Sequence, residues 1–177
     1  MNATQCFLDA NFISEFLIPG NLICIAGRPG TGKSTLLQQL EQTSKDDGNY
    51  DVILISPENP KNDFDNAPYI SAETIRQNLV EILAERNISL VLIDNLQLLD
   101  DVEGDKSEGL KRMAGDLNLP VVVTCHARRT ADVGPDRQPI LDDLADDTIK
   151  NFADVVILLH LLGGGRKADV VTIKINV

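Results

Sequence analysis

Short apolar runs alternate with amphipathic stretches along the chain. "LICIA" (22–26) is aliphatic and β-branched, and a glycine-rich turn follows it. "KSTLLQQLEQT" (33–43) then takes helical spacing, with Leu36, Leu37 and Leu40 on one face. "VILIS" (52–56) and "LVLID" (90–94) are the next all-apolar runs, separated by "SAETIRQNLVEILAERN" (71–87). That stretch predicts a helix capped by Ser71, with Ile75, Leu79, Ile82 and Leu83 as its stripe. "KSEGLKRMAGDLN" (106–118) predicts a further helix, weakened by two glycines. "VVVTC" (121–125), "DVVILLH" (154–160) and "DVVTIKI" (169–175) complete the strands.

Strands that are apolar on both faces and separated by helices imply a mostly parallel sheet covered by helices on each side, an α/β fold. The length of 177 residues suits one domain, expected to span 1–177 with a short lead-in over 1–18. Segments 57–70, with three prolines, and 127–139, with Arg, Gly and Pro, read as loops. The second is long for a plain connector and is expected to be functional or mobile.

Composition narrows the function. Hydrophobic residues make up 43%, the proportion of a soluble globular chain. Sixteen Lys and Arg face 27 Asp and Glu, a net charge of −11, so a broadly basic nucleic-acid surface is excluded and any such contact needs a local basic loop. The three cysteines, Cys6, Cys24 and Cys125, form no metal-binding spacing, and an odd count without a secretory segment fits a reducing cytoplasm. The most apolar run, "VVILLHLL" (155–162), is far below the roughly 20 residues of a membrane span, so no membrane association is expected.

Candidate chemistry begins at "GRPGTGKST" (27–35). Gly27, Arg28, Pro29, Gly30, Thr31, Gly32, Lys33 and Ser34 satisfy G-x-x-x-x-G-K-[ST], with a predicted strand before and a predicted helix after. In that context the glycines let backbone N–H groups curl around phosphate oxygens, and the helix N-terminus adds partial positive charge. Lys33 is the candidate for the β- and γ-phosphates, Ser34 for Mg²⁺, and Thr35 for the α-phosphate region or a cap. Asp94, ending "LVLID", is the candidate acid on the metal side. Asn95 follows it, so the water-activating carboxylate is sought elsewhere, and "ILISPEN" supplies Glu58 just past a strand. His126, after "VVVTC", is placed to touch a γ-phosphate and report its loss to the loop that follows. Cys125 and His126 do not make a nucleophile pair, because adjacent strand residues point to opposite faces. His160 reads as structural.

"GNLICIAGRPGTGKS", "ISPEN", "LVLIDNLQLLD", "LNLPVVVTCHARR" and "PILDDLADDTIKNFADVVILLH" together resemble the RecA-like ATPase core of DnaB-type replicative helicases, from about residue 7 to the C-terminus. The resemblance implies a RecA-like P-loop NTPase fold, with ATP as substrate, Mg²⁺ as cofactor and single-stranded DNA as the strand acted on. It implies a homo-oligomer, of which a hexameric ring is one form, and a helicase or other replication protein as partner. Lys33 and Ser34 match the family's phosphate and magnesium ligands, Glu58 its catalytic glutamate and Asp94 its strand-end aspartate. Gln97 falls in the helicase-type "LQL" run, and His126 stands where the family usually has a glutamine. The loops after Asp94 and His126 correspond to those lining the DNA channel, which makes Arg128, Arg129 and Arg137 candidate DNA contacts.

Three features depart from that pattern. The segment between Glu58 and residue 71 is short, and the helicase N-terminal domain and linker helix are not seen. The family's closing Lys-x-Arg pair reads Lys174-Ile175-Asn176, so Lys174 alone is left as a finger reaching into a neighbour's ATP. An arginine finger supplies on the order of 10³–10⁵ in rate. An alternative is therefore a RecA/KaiC-like regulatory ATPase that hydrolyses slowly and switches a protein partner.

Overall fold

Strand β1 (Leu22–Gly27) is buried along its whole length, the expected result of apolar residues facing both ways. Leu22, Cys24 and Ala26 face one apolar layer and Ile23 and Ile25 the other. Every later element is arranged about this strand. The computed structural model describes residues 10–46, 51–56, 70–100, 105–128, 138–161 and 168–175.

Helix α1 (Ala10–Ser14) precedes β1, and α2 (Lys33–Asp46) follows it. The chain continues through β2 (Asp51–Ile55), β3 (Ile70–Ser71), α3 (Ala72–Leu83) and β4 (Ile88–Ile93). A single 3₁₀ turn at Leu96–Leu98 leads to β5 (Leu99–Asp100), α4 (Lys106–Leu117) and β6 (Val121–His126). A second 3₁₀ turn (Leu141–Asp143), α5 (Ile149–Phe152), β7 (Val155–Leu161) and β8 (Ala168–Ile175) complete the order.

The main sheet runs β2-β4-β6-β1-β7-β8. The first five strands in that order pair in parallel, and β8 lies antiparallel on β7. The mostly parallel α/β fold read from the sequence is therefore present, with an antiparallel edge. Leu36, Leu37 and Leu40 of α2 pack with Ile13 against Ile23 and Ile25. Ile75 and Leu79 of α3, with Leu110, Met113 and Ala114 of α4, cover the opposite face. A separate two-stranded ribbon joins β3 to β5, which the sequence pattern does not predict, since two residues carry no period.

One boundary moves from expectation. The helix expected over 71–87 ends at Leu83, because Asn87 must accept from the Asp51 N–H at 2.9 Å to start β4 beside β2. Arg86 holds that turn through a 2.7 Å contact with Asp51. At the other end Ser71 caps α3 as expected, accepting the Thr74 N–H at 3.1 Å. His160 is buried in β7, in keeping with a structural residue.

Lys111 ties the start of β1 to the rest of the fold. Its ammonium donates to Gly20 O and to both oxygens of Asp154, and Asp154 Oδ2 accepts the Leu22 N–H at 2.7 Å. The carboxyl end of β1, where the glycine turn begins, lies between β6 and β7. In open α/β sheets the crevice beyond the carboxyl ends, where connections diverge to either side, is where ligands bind.

Candidate nucleotide-binding site

The glycine turn leaves the carboxyl end of β1 and enters α2 directly. Gly30 and Gly32 hold φ of +81° and +87°, a region that side-chain-bearing residues rarely adopt. Gly27 is needed for a different reason: a Cβ there would come within 2.6 Å of Thr31 Oγ1 and 3.2 Å of Leu159. Thr31 is buried and closes the turn by donating its hydroxyl to Arg28 O at 2.8 Å. Pro29 and Gly30 are exposed at its tip, and Ser34 and Thr35 are exposed on the first turn of α2.

Lys33 folds back into the loop. Its ammonium donates to Gly27 O at 2.9 Å and Arg28 O at 3.1 Å, and the residue is buried. Burial lowers its pKa below the ordinary lysine value, while Asp94 and Cys125 push the other way. The charge is thus stored in a poorly solvated place facing an acid, an arrangement that an incoming polyanion relieves.

Asp94 stands at the carboxyl end of β4, its N–H donating to Ile55 O of β2 at 2.9 Å. Thr124 of β6 donates its hydroxyl to Asp94 Oδ1 at 2.5 Å. His126 ends β6 directly opposite Gly27, and the Ala127 N–H donates to Gly27 O at 3.1 Å. Lys33, Asp94 and His126 are therefore brought to one crevice from three neighbouring strand ends. Glu58, Arg129 and Arg137 lie outside the described residues. Arg128 is exposed and donates to Ala145 O at 2.7 Å. Lys174 pairs with Val156 in β8, at the sheet edge away from β4 and β6.

Some partners at the site are not evident from sequence. Thr124 is fully buried and interrupts an otherwise apolar run, which is the signal that marks it in retrospect. Asn95 Nδ2 lies 3.4 Å from His126 Nε2. Gln97 accepts the His126 N–H on Oε1 at 3.1 Å and donates from Nε2 to Cys125 Sγ at 3.1 Å. No spacing rule connects these residues to β6.

These residues fit a magnesium nucleoside triphosphate. The donor set is a buried ammonium, open glycine backbone and a helix N-terminus, and the oxygen set is an exposed Ser34 hydroxyl with an oriented carboxylate. Residues 61–168, more than half of the chain, match the DnaB-like helicase C terminal domain family. The chain belongs to that family. This DnaB-like domain is 24% identical over 218 residues to the replicative DNA helicase DnaB of Mycoplasma genitalium, covering 91% of the chain and 47% of the relative. Against DnaB of Mycobacterium leprae it is 34% identical over 107 residues, 55% of the chain and 18% of the relative. The domain thus spans less than half the length of these curated relatives.

Solved structures agree on the fold. A DnaB-like replicative helicase, described with its interactions with primase, superposes with a TM-score of 0.71 at 20% identity, over 82% of this chain and 48% of that one. The RadB recombinase superposes with a TM-score of 0.53 at 17% identity, over 84% and 79%. The RecA-like class of the DnaB-like domain follows from both. No helix among the described residues is long and apolar enough to cross a membrane.

Proposed function

We propose that this DnaB-like domain, residues 1–177 taken as one RecA-like unit, binds and hydrolyses Mg²⁺–ATP and uses the cycle to move on single-stranded DNA. The observation that carries the reading is the meeting of Lys33, Asp94 and His126 at the carboxyl ends of β1, β4 and β6. Gly27 to Thr35 would wrap the phosphates, with Lys33 leaving its two carbonyls for the β- and γ-phosphate oxygens. Ser34 and Asp94 would hold Mg²⁺, which supplies charge neutralisation across those oxygens.

The reaction is displacement at the γ-phosphorus by water. The new bond forms from the water oxygen, the bond to the β–γ bridging oxygen breaks, and ADP leaves. Glu58 is assigned the water's proton, a role that rests on its place in the sequence after β2. His126 is assigned the γ-phosphate contact, and the loop after it the coupling to DNA through Arg128, Arg129 and Arg137. Lys174 is the candidate to reach a neighbouring copy, which requires a homo-oligomer, with a hexameric ring as the expected form. A replication protein is the expected further partner, in the cytoplasm.

Steady-state ATP hydrolysis with and without single-stranded DNA, with Lys33→Ala as the blank, tests this. Turnover that rises with DNA, and more than linearly with protein concentration, supports a motor with shared sites. Slow turnover indifferent to DNA but abolished by Lys33→Ala overturns the motor and leaves the nucleotide-gated switch. Turnover unaffected by Lys33→Ala overturns both.

A further inference from the structure

Gln97 occupies an unusual place beside the proposed site. It lies on the 3₁₀ turn after β4, yet both ends of its side-chain amide are bonded to β6. The Oε1 end accepts a backbone N–H, that of His126, and a backbone N–H can meet only an acceptor. The amide orientation is therefore determined, and Nε2 necessarily faces Cys125 Sγ. That sulfur is itself buried among bonds. Cys24 is buried in the same apolar layer; its thiol lowers the Cys125 pKa, an effect opposed by burial and aided by Gln97, and the pKa of Cys24 is raised in turn.

Asn95, two residues earlier, meets the same histidine from the ring side. An asparagine amide can present either its nitrogen or its oxygen to Nε2, so it follows the ring's protonation state without loss. Gln97 has no such freedom. The backbone of His126 is thus clamped by Gln97 while its ring keeps an adaptable neighbour.

We propose that Gln97 is a positioning residue that sets His126 against the γ-phosphate and carries any displacement of His126 into the β5–β3 ribbon. This rests on the ATPase reading above. The route is short: the turn bearing Gln97 runs straight into β5, whose Leu99 and Asp100 pair with Ile70 and Ser71 of β3. Ser71 is the cap of α3. A shift of the His126 main chain moves Oε1 with it, and the turn and ribbon follow.

The test compares ligands with and without a γ-phosphate. Binding of Mg²⁺–ADP and of a non-hydrolysable Mg²⁺–ATP analogue is measured for the wild type, Gln97→Met, His126→Ala and the double variant. Methionine keeps the shape and removes both hydrogen bonds, and Gln97→Glu, which retains the acceptor for His126 N–H, serves as the second variant. ADP affinity is expected to stay within about twofold in Gln97→Met while analogue affinity falls about tenfold, some 1.4 kcal/mol. With His126 present, Gln97→Glu is expected to keep part of the discrimination that Gln97→Met loses, and in the His126→Ala background Gln97→Met is expected to add nothing.

Hydrogen exchange supplies the second readout. In the wild type the analogue is expected to change protection of residues 70–71 and 99–100 relative to ADP, and in Gln97→Met it is not. Equal weakening of both ligands, full additivity with His126→Ala, or an unchanged analogue affinity overturns the positioning role while leaving the ATPase reading intact. Wild-type nucleotide binding no better than that of Lys33→Ala overturns the ATPase reading and this role with it.

Discussion

The Thr124 hydroxyl donates to Asp94 Oδ1 at 2.5 Å, joining the ends of two neighbouring strands through side chains thirty residues apart. Thr124 is completely buried, so its hydroxyl has little else to bond. The bond holds one carboxylate oxygen toward β6, and under the proposed function the other would be left for a metal-bound water. Outer partners of metal-side carboxylates typically contribute 10–100-fold in affinity or activity. Thr124→Val keeps the shape and removes the donor, and is expected to lower Mg²⁺-dependent turnover by about that factor. Thr124→Ser is expected to restore most of it. Magnesium titrations of ATPase rate decide this, and equal Mg²⁺ dependence in wild type and Thr124→Val refutes the orientation role.

Lys33 carries a different prediction, because function and stability oppose each other there. Its folded-state pKa is lowered by burial. Between that value and the unfolded one the unfolded chain binds more protons, so this group makes stability rise with pH across that window. Below the window the cost of the buried ammonium is carried in full. Lys33→Met removes the charge without orphaning either carbonyl: Gly27 O still accepts Ala127 N–H and Arg28 O still accepts the Thr31 hydroxyl.

The ligand-free Lys33→Met variant is therefore expected to melt at or slightly above the wild-type temperature at pH 7. The wild type with ATP at 100 times its dissociation constant is expected to gain about 2.7 kcal/mol, and the variant nothing. Thermal melts across pH 7–11, with and without Mg²⁺–ATP, measure both. A ligand-free variant melting well below the wild type contradicts the account of the stored charge.

The two glycines of α4 look alike in sequence and are expected to respond in opposite directions. A Cβ on Gly109 would stand 2.8 Å from Ala72 Cβ of α3, whereas one on Gly115 meets nothing within 4 Å. Gly115→Ala is expected to stabilise by roughly 0.5–1 kcal/mol through helix propensity. Gly109→Ala gains the same propensity but forces α3 and α4 apart, an overpacking cost of about 1–3 kcal/mol. Chemical denaturation of the two variants compares them, and a stabilised Gly109→Ala would mean that the helices pack less closely than described.

The sequence by itself determined the strands of the main sheet, the helix faces and the glycine turn between β1 and α2. Residues buried on both sides must be apolar in succession, and a glycine turn between strand and helix has few other uses, so β1, β4, β6, α2 and the Lys33 loop were legible locally. The Ser71 cap and the candidates Asp94 and His126 at strand ends were legible for the same reason. Which strand ends become neighbours was not, because sheet order depends on how crossover helices pack rather than on any local period. Only the tertiary structure placed β6 between β4 and β1, and with it Thr124 on Asp94 and Gln97 on His126. It also separated Gly109, pressed on Ala72, from Gly115, since a missing Cβ leaves no trace in the sequence of what stands opposite.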